Sequence, residues 1–181
     1  MKRVGIDCRF ASTNSGLGRY TRTLVTHLCQ RDDPIEYTLF VRSQEEPWLT
    51  ILRRDVTLVS APMKHYTFSE QYKLPQLIRS ANLDLYFSPH FNVPFHTPVE
   101  CIVTIHDLIL HRYAQDSSYA KKQAYRALIR SAVSRARRII AVSHFTAREI
   151  IDAFGQNYAT KILTIYEGVE PEFRPVPQEQ Y

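Results

Sequence analysis

The sequence predicts an α/β domain with a mostly parallel β-sheet. Short apolar runs bounded by turn-forming residues alternate along the chain with segments of helical periodicity, and this alternation is typical of β-α-β units. The 181 residues are enough for one such domain with a substantial core. The predicted strands are Arg3–Asp7, Tyr37–Arg42, Val56–Ser60, Leu83–Ser88, Cys101–His106, Arg138–Val142 and Ile162–Tyr166. The predicted helices are Gly18–Gln30, Pro47–Arg53, Phe68–Ser80, Tyr119–Ala136 and Phe145–Phe154.

The composition indicates where the protein is located and which partners it favours. No apolar run approaches the roughly 20 residues of a membrane-spanning helix, and the apolar run near the N-terminus is too short for a signal peptide. Cys8, Cys29 and Cys101 are widely separated, which favours buried thiols in a reducing cytoplasm over disulfides or a zinc site. The net charge of +5 favours anionic partners such as nucleotides, lipid headgroups or nucleic acid.

Two glycines separate the first predicted strand from the first predicted helix. Gly16 and Gly18 would let the chain turn tightly and let a ligand approach main-chain amides. The helix that follows would point its unpaired N–H groups and the positive end of its dipole at that ligand. This pattern predicts a site for an anion such as phosphate, with Arg19 as a candidate for added positive charge. Two simpler interpretations stay open: the glycines only shape a loop, and Arg19 is solvated or paired with a carboxylate.

Polar side chains follow several of the predicted strands. Ligands of open parallel sheets bind beyond the carboxyl ends of the strands. The glycine pair, His90, the neighbours His106 and Asp107, and Ser143 are therefore expected along one edge of the domain. Structural alternatives remain for each of these residues, since Asp107 could simply cap the turn that follows it and His90 could be held for packing.

Local signals also describe the C-terminal part of the chain. Thr146 and Glu149 have the spacing of a capping box, which predicts the start of the last helix. After Tyr166 the sequence becomes rich in proline and loses periodicity, which is typical of an extended linker. We therefore expect a domain over residues 1–168 and, over residues 169–181, a linker toward a second domain.

The predicted helix Tyr119–Ala136 is strongly basic. An apolar stripe on this helix predicts its core-facing side, and a positive strip runs beside it through Lys122, Arg126, Arg130 and Arg137. The strip fits either a solvated flank of the helix or a surface that attracts anionic lipid, to which each basic residue contributes roughly 1 kcal/mol.

Five blocks of the sequence, in order, resemble family 4 (group 1) retaining glycosyltransferases of the GT-B fold. The similarity is closest to bacterial mannosyltransferases of polysaccharide assembly and extends over essentially the whole chain. The blocks are VGIDCRF with SGLGRYTRTLVTHL, DLYFSPHFNVP, CIVTIHDLIL, RRIIAVSHFTAREI and KILTIYEGVEPEFRP. One departure concerns Glu167, which stands where the family usually has asparagine before Gly168 and Val169.

The resemblance implies a Rossmann-like three-layer domain that forms the acceptor-side half of a GT-B enzyme. The donor-binding half, with its spaced pair of glutamates, has no counterpart in the sequence, so we expect this chain to be inactive alone. The implied donor is a nucleotide-diphosphate sugar, with GDP-mannose as the family-weighted choice. The implied acceptor is a glycan or a lipid-linked glycan, and the implied location is cytoplasmic, peripheral to the inner face of the membrane. No cofactor and no metal are expected.

The resemblance also assigns roles to the residues at the strand ends. The loop around Gly16 and Gly18, with Arg19, would close over the donor diphosphate. His106 would contact the transferred sugar, and Asp107 would orient the acceptor or take its proton. Candidates for the acceptor groove are Tyr20, His90 and Ser143.

Two other classes of function fit less well. A dinucleotide-binding oxidoreductase or epimerase would place its glycine turn directly after the first strand and an acidic residue at the end of the second. Here the glycines come late, Thr21 replaces the third glycine, and the second strand ends in Val41 and Arg42. A nucleic-acid-binding module would interleave aromatic and basic residues on one surface, a pattern that the basic helix shows only weakly.

Overall fold

A computed structural model describes residues 1–53, 55–109 and 119–169 of the chain, with residues 119–121 described for their backbone alone. The strands are β1 Lys2–Asp7, β2 Ile35–Val41, β3 Thr57–Ser60, β4 Leu85–Ser88, β5 Cys101–Ile105, β6 Arg138–Ala141 and β7 Ile162–Thr164. The α-helices are α1 Gly16–Cys29, α2 Phe68–Ser80, α3 Tyr119–Arg135 and α4 His144–Phe154. Short 3₁₀ helices span Arg9–Ser12, Pro47–Ile51 and Gln156–Lys161.

The seven strands form one parallel sheet in the order β3-β2-β1-β4-β5-β6-β7. The predicted α/β class with a parallel sheet is confirmed, and every predicted strand is present with ends within two residues of the prediction. The predicted helix over Pro47–Arg53 is a 3₁₀ helix, Pro47–Ile51, and the 3₁₀ helices that follow β1 and α4 were not predicted.

Two apolar cores cover the two faces of the sheet. In β2, for example, Leu39 and Val41 face the core that contains Val25 and Cys29 of α1. The side chain of Phe40 points the other way, into the core shared with α2, α3 and α4, because successive side chains of a strand alternate between faces. The result is a helix–sheet–helix sandwich, the Rossmann-like three-layer fold that was predicted. The three cysteines are free, buried thiols, as expected.

The first helix begins two residues earlier than predicted. Ser15 is its N-cap, and the hydroxyl of Ser15 accepts a hydrogen bond of 3.1 Å from the amide of Gly18. The two glycines therefore form the first turn of α1 and do not lie in a loop before it. A Cβ on Gly18 would lie 2.1 Å from the carbonyl oxygen of Thr13, whereas a Cβ on Gly16 would meet nothing within 4 Å.

The residues that cap the helices differ from those predicted. Helix α4 begins at His144 with Ser143 as its N-cap, whose hydroxyl accepts from the amide of Thr146 at 3.0 Å, so the predicted capping box at Thr146 and Glu149 is wrong. A Ser/Thr-x-x-Glu pattern does begin α2, where the hydroxyl of Thr67 accepts from the amide of Glu70 at 3.2 Å. Of the predicted linker over residues 169–181, only Val169 falls within the described residues, and residues 170–181 lie outside them.

The close approach of the Thr13 backbone to Gly18 predicts how a substitution there affects stability, and Gly16 provides the control. We expect Gly18→Ala to lower the free energy of unfolding by about 2–3 kcal/mol, because the new methyl group would collide with backbone. Gly16→Ala should leave stability unchanged or slightly higher, since alanine favours a helix more than glycine does. Urea unfolding of the two variants measures the difference, and equal stabilities would contradict the packing described here.

Candidate functional site

The candidate site lies where the order of the strands reverses. Strands β2 and β3 lie on one side of β1, while the later strands extend from β4 on the other side. In open α/β sheets the crevice outside the carboxyl ends of the strands at such a point is where ligands bind. The chain segments that follow β1, β4 and β5 carry residues singled out in the sequence, and they meet at this edge.

His106, directly after β5, is held from both ring nitrogens. Its Nδ1 lies 2.9 Å from Oε1 of Glu167, and its Nε2 lies 2.9 Å from the carbonyl oxygen of Pro89. The ring of Tyr20 contacts the imidazole edge-on, with ring centroids 4.8 Å apart. The imidazole is thus fixed in place by segments that follow β4 and β7 and by α1.

Tyr20 connects His106 to the start of α1. The residue lies in the second turn of that helix, and burial raises the pKa of its phenol. The first turn of α1 and His106 therefore lie near each other at the carboxyl edge of the sheet, as the positions of the strand ends predicted.

His90 lies beside His106 in a mostly apolar setting. Their ring centroids are 6.3 Å apart, and the His90 ring also contacts Phe91 at 4.0 Å and Phe10 at 5.0 Å. The backbone amide of Asn92 donates to Nδ1 of His90 at 3.1 Å. Burial, together with the nearby His106 and His65, lowers the pKa of His90 from 6.5 to about 3. His90 is therefore neutral at ordinary pH and carries its proton on Nε2.

A fully buried ion cluster supports the floor of this crevice. The guanidinium of Arg9 pairs with Asp7 Oδ2 at 2.6 Å and with Glu70 Oε1 at 2.7 Å, and all three side chains are at most 1% exposed. Burial by itself raises the pKa of Asp7, but the charge and hydrogen bonds of Arg9 outweigh that effect and hold the pKa below 3.8. For Arg9, burial opposes the charge, and the two carboxylates still raise its pKa.

The cluster extends to the segments around His90. Glu70 accepts from the amide of Tyr66 at 2.7 Å and from Nδ2 of Asn92 at 2.8 Å. The ring of His65 stacks on Phe10 with centroids 3.6 Å apart. One buried glutamate of α2 thus connects the segments that follow β1, β3 and β4.

This cluster was not predicted from the sequence. Two signals for it were present: Asp7 ends the first predicted strand, and Thr67 and Glu70 have the spacing of a capping box. Neither signal reveals that Arg9, which follows a strand and could have been solvated, lies in the core.

The amides at the start of α1 are partly used within the protein. The amide of Gly18 donates to Ser15, and the amide of Arg19 donates to the carbonyl oxygen of Ser15 at 2.9 Å. Within the described part of the chain, the amides of Gly16 and Leu17 make no hydrogen bond, so they are the donors that a ligand could use. Arg19 itself is exposed.

Asp107 and Ser143 have structural roles at this edge. Asp107 is exposed, and its Oδ1 accepts from the amide of Ile109 at 2.9 Å, which is the capping role kept open above. Ser143 caps α4, and Thr146 in the first turn of α4 donates its hydroxyl to the carbonyl oxygen of His106 at 3.2 Å. Both residues lie next to His106, and their predicted contacts with an acceptor stay predictions.

Three of the four residues of the predicted basic strip lie on α3, and the fourth, Arg137, does not. Arg126 and Arg130 are exposed and Lys122 is half-buried. Arg137 lies beyond the end of α3, at the amino edge of the sheet, where it forms an ion pair with Glu100. The apolar stripe faces the core as predicted, through Tyr125, Leu128, Ile129, Ala132, Val133 and Ala136.

Neither a metal cluster nor a membrane-spanning helix emerges from residues 1–53, 55–109 and 119–169. They contain no group of three or more histidine, cysteine, aspartate or glutamate side chains arranged to hold a metal ion. None of their helices is long and apolar enough to cross a bilayer.

The low pKa of His90 predicts how stability depends on pH. The unfolded chain takes up a proton at this position as the pH falls through about 6.5, whereas the folded protein resists protonation until about pH 3. The contribution of His90 to the free energy of unfolding is therefore complete above pH 6.5. It is lost as the pH falls toward 3, at up to about 1.4 kcal/mol per pH unit. In urea unfolding between about pH 7 and 4, the free energy of unfolding of His90→Gln should fall less steeply with decreasing pH than that of the unmodified protein. Equal slopes for the two proteins would show that His90 is not held neutral.

Solved structures similar to this chain carry nucleotide and sugar ligands or are named as sugar transferases. HepE from Anabaena in complex with UDP and glucose is 19% identical with a TM-score of 0.57, and the match covers 94% of this chain and 45% of HepE. HepE in complex with UDP-glucose is 15% identical with a TM-score of 0.60 over the same shares of the two chains. The lipopolysaccharide outer core galactosyltransferase WaaB, in its apo form, is 14% identical with a TM-score of 0.58, covering 100% of this chain and 50% of WaaB.

These structural matches establish the fold and the relative length. The chain spans about half the length of HepE and WaaB, in agreement with its predicted place as one half of a GT-B fold. No curated protein sequence matches the chain. The model of the family described as Glycosyltransferase Family 4 matches residues 14–173, nearly the whole sequence. The chain belongs to Glycosyltransferase Family 4.

Proposed function

We propose that this chain is the acceptor-side half of a retaining glycosyltransferase that moves a hexose from a nucleotide-diphosphate sugar to a glycan or lipid-linked acceptor. The observation that carries the proposal is the meeting of His106, His90 and Tyr20 with the start of α1 at the point where the strand order reverses. The family match supports the reaction class.

The donor is a nucleotide-diphosphate hexose. HepE is described with UDP and glucose and with UDP-glucose, and WaaB is named as a galactosyltransferase. These descriptions favour testing UDP-hexoses first. The matched structures lend no support to the predicted GDP-mannose and mannosyl transfer.

The site has groups suited to the charge that develops during such a transfer. The leaving diphosphate gains negative charge while the sugar becomes cation-like, so donors already aimed at the phosphate give the largest stabilisation. The amides of Gly16 and Leu17 would supply such donors at the positive end of α1, with Arg19 adding charge. The open space around Gly16 leaves room for a ligand to approach the backbone.

His106 and Asp107 take the remaining roles in the proposal. His106 contacts the transferred sugar from the end of β5. Asp107, exposed next to it, orients the acceptor or receives its proton, for which it must reach the acceptor hydroxyl directly or through one water. Tyr20, His90 and Ser143 border the acceptor groove.

A second lobe completes the site in this proposal. The chain covers 45% of HepE and 50% of WaaB, and the opposite wall of the crevice would come from a donor-binding domain beyond the linker at 169–181. The domain over residues 1–168 then binds the acceptor and contacts the diphosphate from one side only, so it is inactive alone.

A lipid surface is the proposed setting of the reaction, in the cytoplasm at the inner face of the membrane. Phe68 and Tyr72, one helical turn apart on α2, are 95% and 70% exposed. Phe95 is held beside them, because its amide donates to the side chain of Gln71 at 2.8 Å. Aromatic side chains favour the membrane interface, and Arg126 and Arg130 of α3 would attract anionic headgroups.

The transfer reaction is tested on the protein that combines this chain with its donor-binding half. We expect hexose transfer from at least one member of a panel of UDP-glucose, UDP-galactose and GDP-mannose, measured by mass spectrometry of the glycan product. His106→Ala should lower kcat/KM by roughly 100-fold. The matched control is His27→Ala, because His27 is exposed near the end of α1, away from the crevice. Absence of transfer from every donor, or full activity of His106→Ala, would refute the proposal.

Membrane association is tested by sedimentation with anionic vesicles at low and high salt. The double variant Arg126→Ser with Arg130→Ser should weaken binding at low salt by roughly 30-fold, the equivalent of about 2 kcal/mol. The double variant Arg31→Ser with Arg79→Ser removes the same charge from the exposed C-terminal ends of α1 and α2 and should bind normally. No binding of the unmodified protein at low salt would remove the lipid surface from the proposal.

A further inference from the structure

His106 has a hydrogen-bond acceptor on each of its two ring nitrogens. The carbonyl oxygen of Pro89, 2.9 Å from Nε2, can only accept. The carboxylate of Glu167, 2.9 Å from Nδ1, also accepts when it is ionised. A neutral imidazole has one N–H and could satisfy only one of these partners. Both bonds form together only when the pair of His106 and Glu167 carries one additional proton.

That proton belongs on the histidine. An imidazole is by its ordinary chemistry more basic than a carboxylate. The Glu167 side chain is 48% exposed, so water stabilises its charge. Burial of the His106 ring, 21% exposed, disfavours a positive charge there, but the carboxylate 2.9 Å from Nδ1 favours it. The other titratable groups nearby fit this assignment: His90 is neutral, and Tyr20 is a phenol whose pKa is raised by burial. Asp107 is the next residue along the chain, and its Oδ1 accepts from the amide of Ile109.

We infer that Glu167 is a positioning residue that holds His106 as a cationic imidazolium, a donor at both nitrogens. For the catalytic role, the inference rests on the proposed function. An imidazolium cannot take the proton of an acceptor hydroxyl, and both of its N–H groups are already donated, to Pro89 and to Glu167. His106 therefore serves as a fixed positive charge that contacts the sugar and stabilises the leaving diphosphate. Asp107 is then the candidate proton acceptor.

Glu167 is a residue at which this chain departs from the pattern usual in its family. Asparagine is usual at the position of Glu167, and an asparagine amide could donate to Nδ1 and leave the ring neutral. A carboxylate at this position requires the proton. Glu167 also lies three residues beyond β7, in the segment that leads out of the domain. The charge of His106 is therefore coupled to the path of that segment.

The protonation state is tested directly by ¹⁵N NMR of the histidine side chains in this chain. Nδ1 and Nε2 of His106 should both show the shifts of protonated nitrogens. In Glu167→Gln, at the same pH, Nδ1 should show the shift of an unprotonated nitrogen, because the amide can donate to it. Glu100→Gln, a change to an exposed carboxylate at the opposite edge of the sheet, should leave the His106 signals unchanged. An unprotonated Nδ1 in the unmodified chain, or equal spectra for it and Glu167→Gln, would overturn the inference.

The consequence for catalysis is tested in the protein with its donor-binding half. If charge is what Glu167 provides, Glu167→Gln and Glu167→Ala should both lower kcat about tenfold, because the positive charge beside the departing diphosphate is lost. A purely structural role would let glutamine, which keeps a hydrogen bond, retain full activity, and that outcome would overturn the catalytic part. The NMR result stands whether or not transfer is detected, so failure of the inference and failure of the proposed function are distinguishable.

Discussion

The arrangement of the candidate site depends on one buried guanidinium. Arg9 lies in the core between Asp7 and Glu70, and the three residues come from the end of β1, the turn after it and the first turn of α2. Such a cluster adds little net stability over apolar packing, but removing one partner of a buried ion pair costs about 3–5 kcal/mol. Arrangements that bury one of these charges without its partner are therefore strongly disfavoured. Through Arg9, Tyr66 and Asn92, the contacts of Glu70 tie together the segments after β1, β3 and β4.

The chemistry of the crevice follows from that fixed floor. Asn92, bound to Glu70 through its side chain, uses its backbone amide to hold His90. Burial keeps His90 neutral beside His106, whose two partners come from the segments after β4 and β7. The site thus places a neutral histidine beside a charged one at the carboxyl edge of the sheet. In the proposed transfer, His106 supplies positive charge near the diphosphate, while His90 adds none.

The structural features set by local patterns could be predicted from the sequence. Alternating apolar runs and helical stripes predicted the strands, the parallel sheet and the edge where His90, His106 and the start of α1 meet. The Arg9 cluster escaped prediction because an arginine after a strand is ordinarily solvated, and only tertiary packing shows that Glu70 reaches it. The start of α4 was misassigned because Ser143 and Thr146 are both good caps, and the backbone path decides between them. The contact between His106 and Glu167 joins residues far apart in sequence, so no local pattern could reveal it.

The most direct measurement is a crystal structure of the protein with its donor-binding half in complex with UDP-glucose. The diphosphate should lie within hydrogen-bonding distance of the amides of Gly16 and Leu17, with the glucose ring against His106. A donor bound in the second half with its sugar turned away from His106 and from the start of α1 would contradict the assignment of this crevice as the site of sugar transfer.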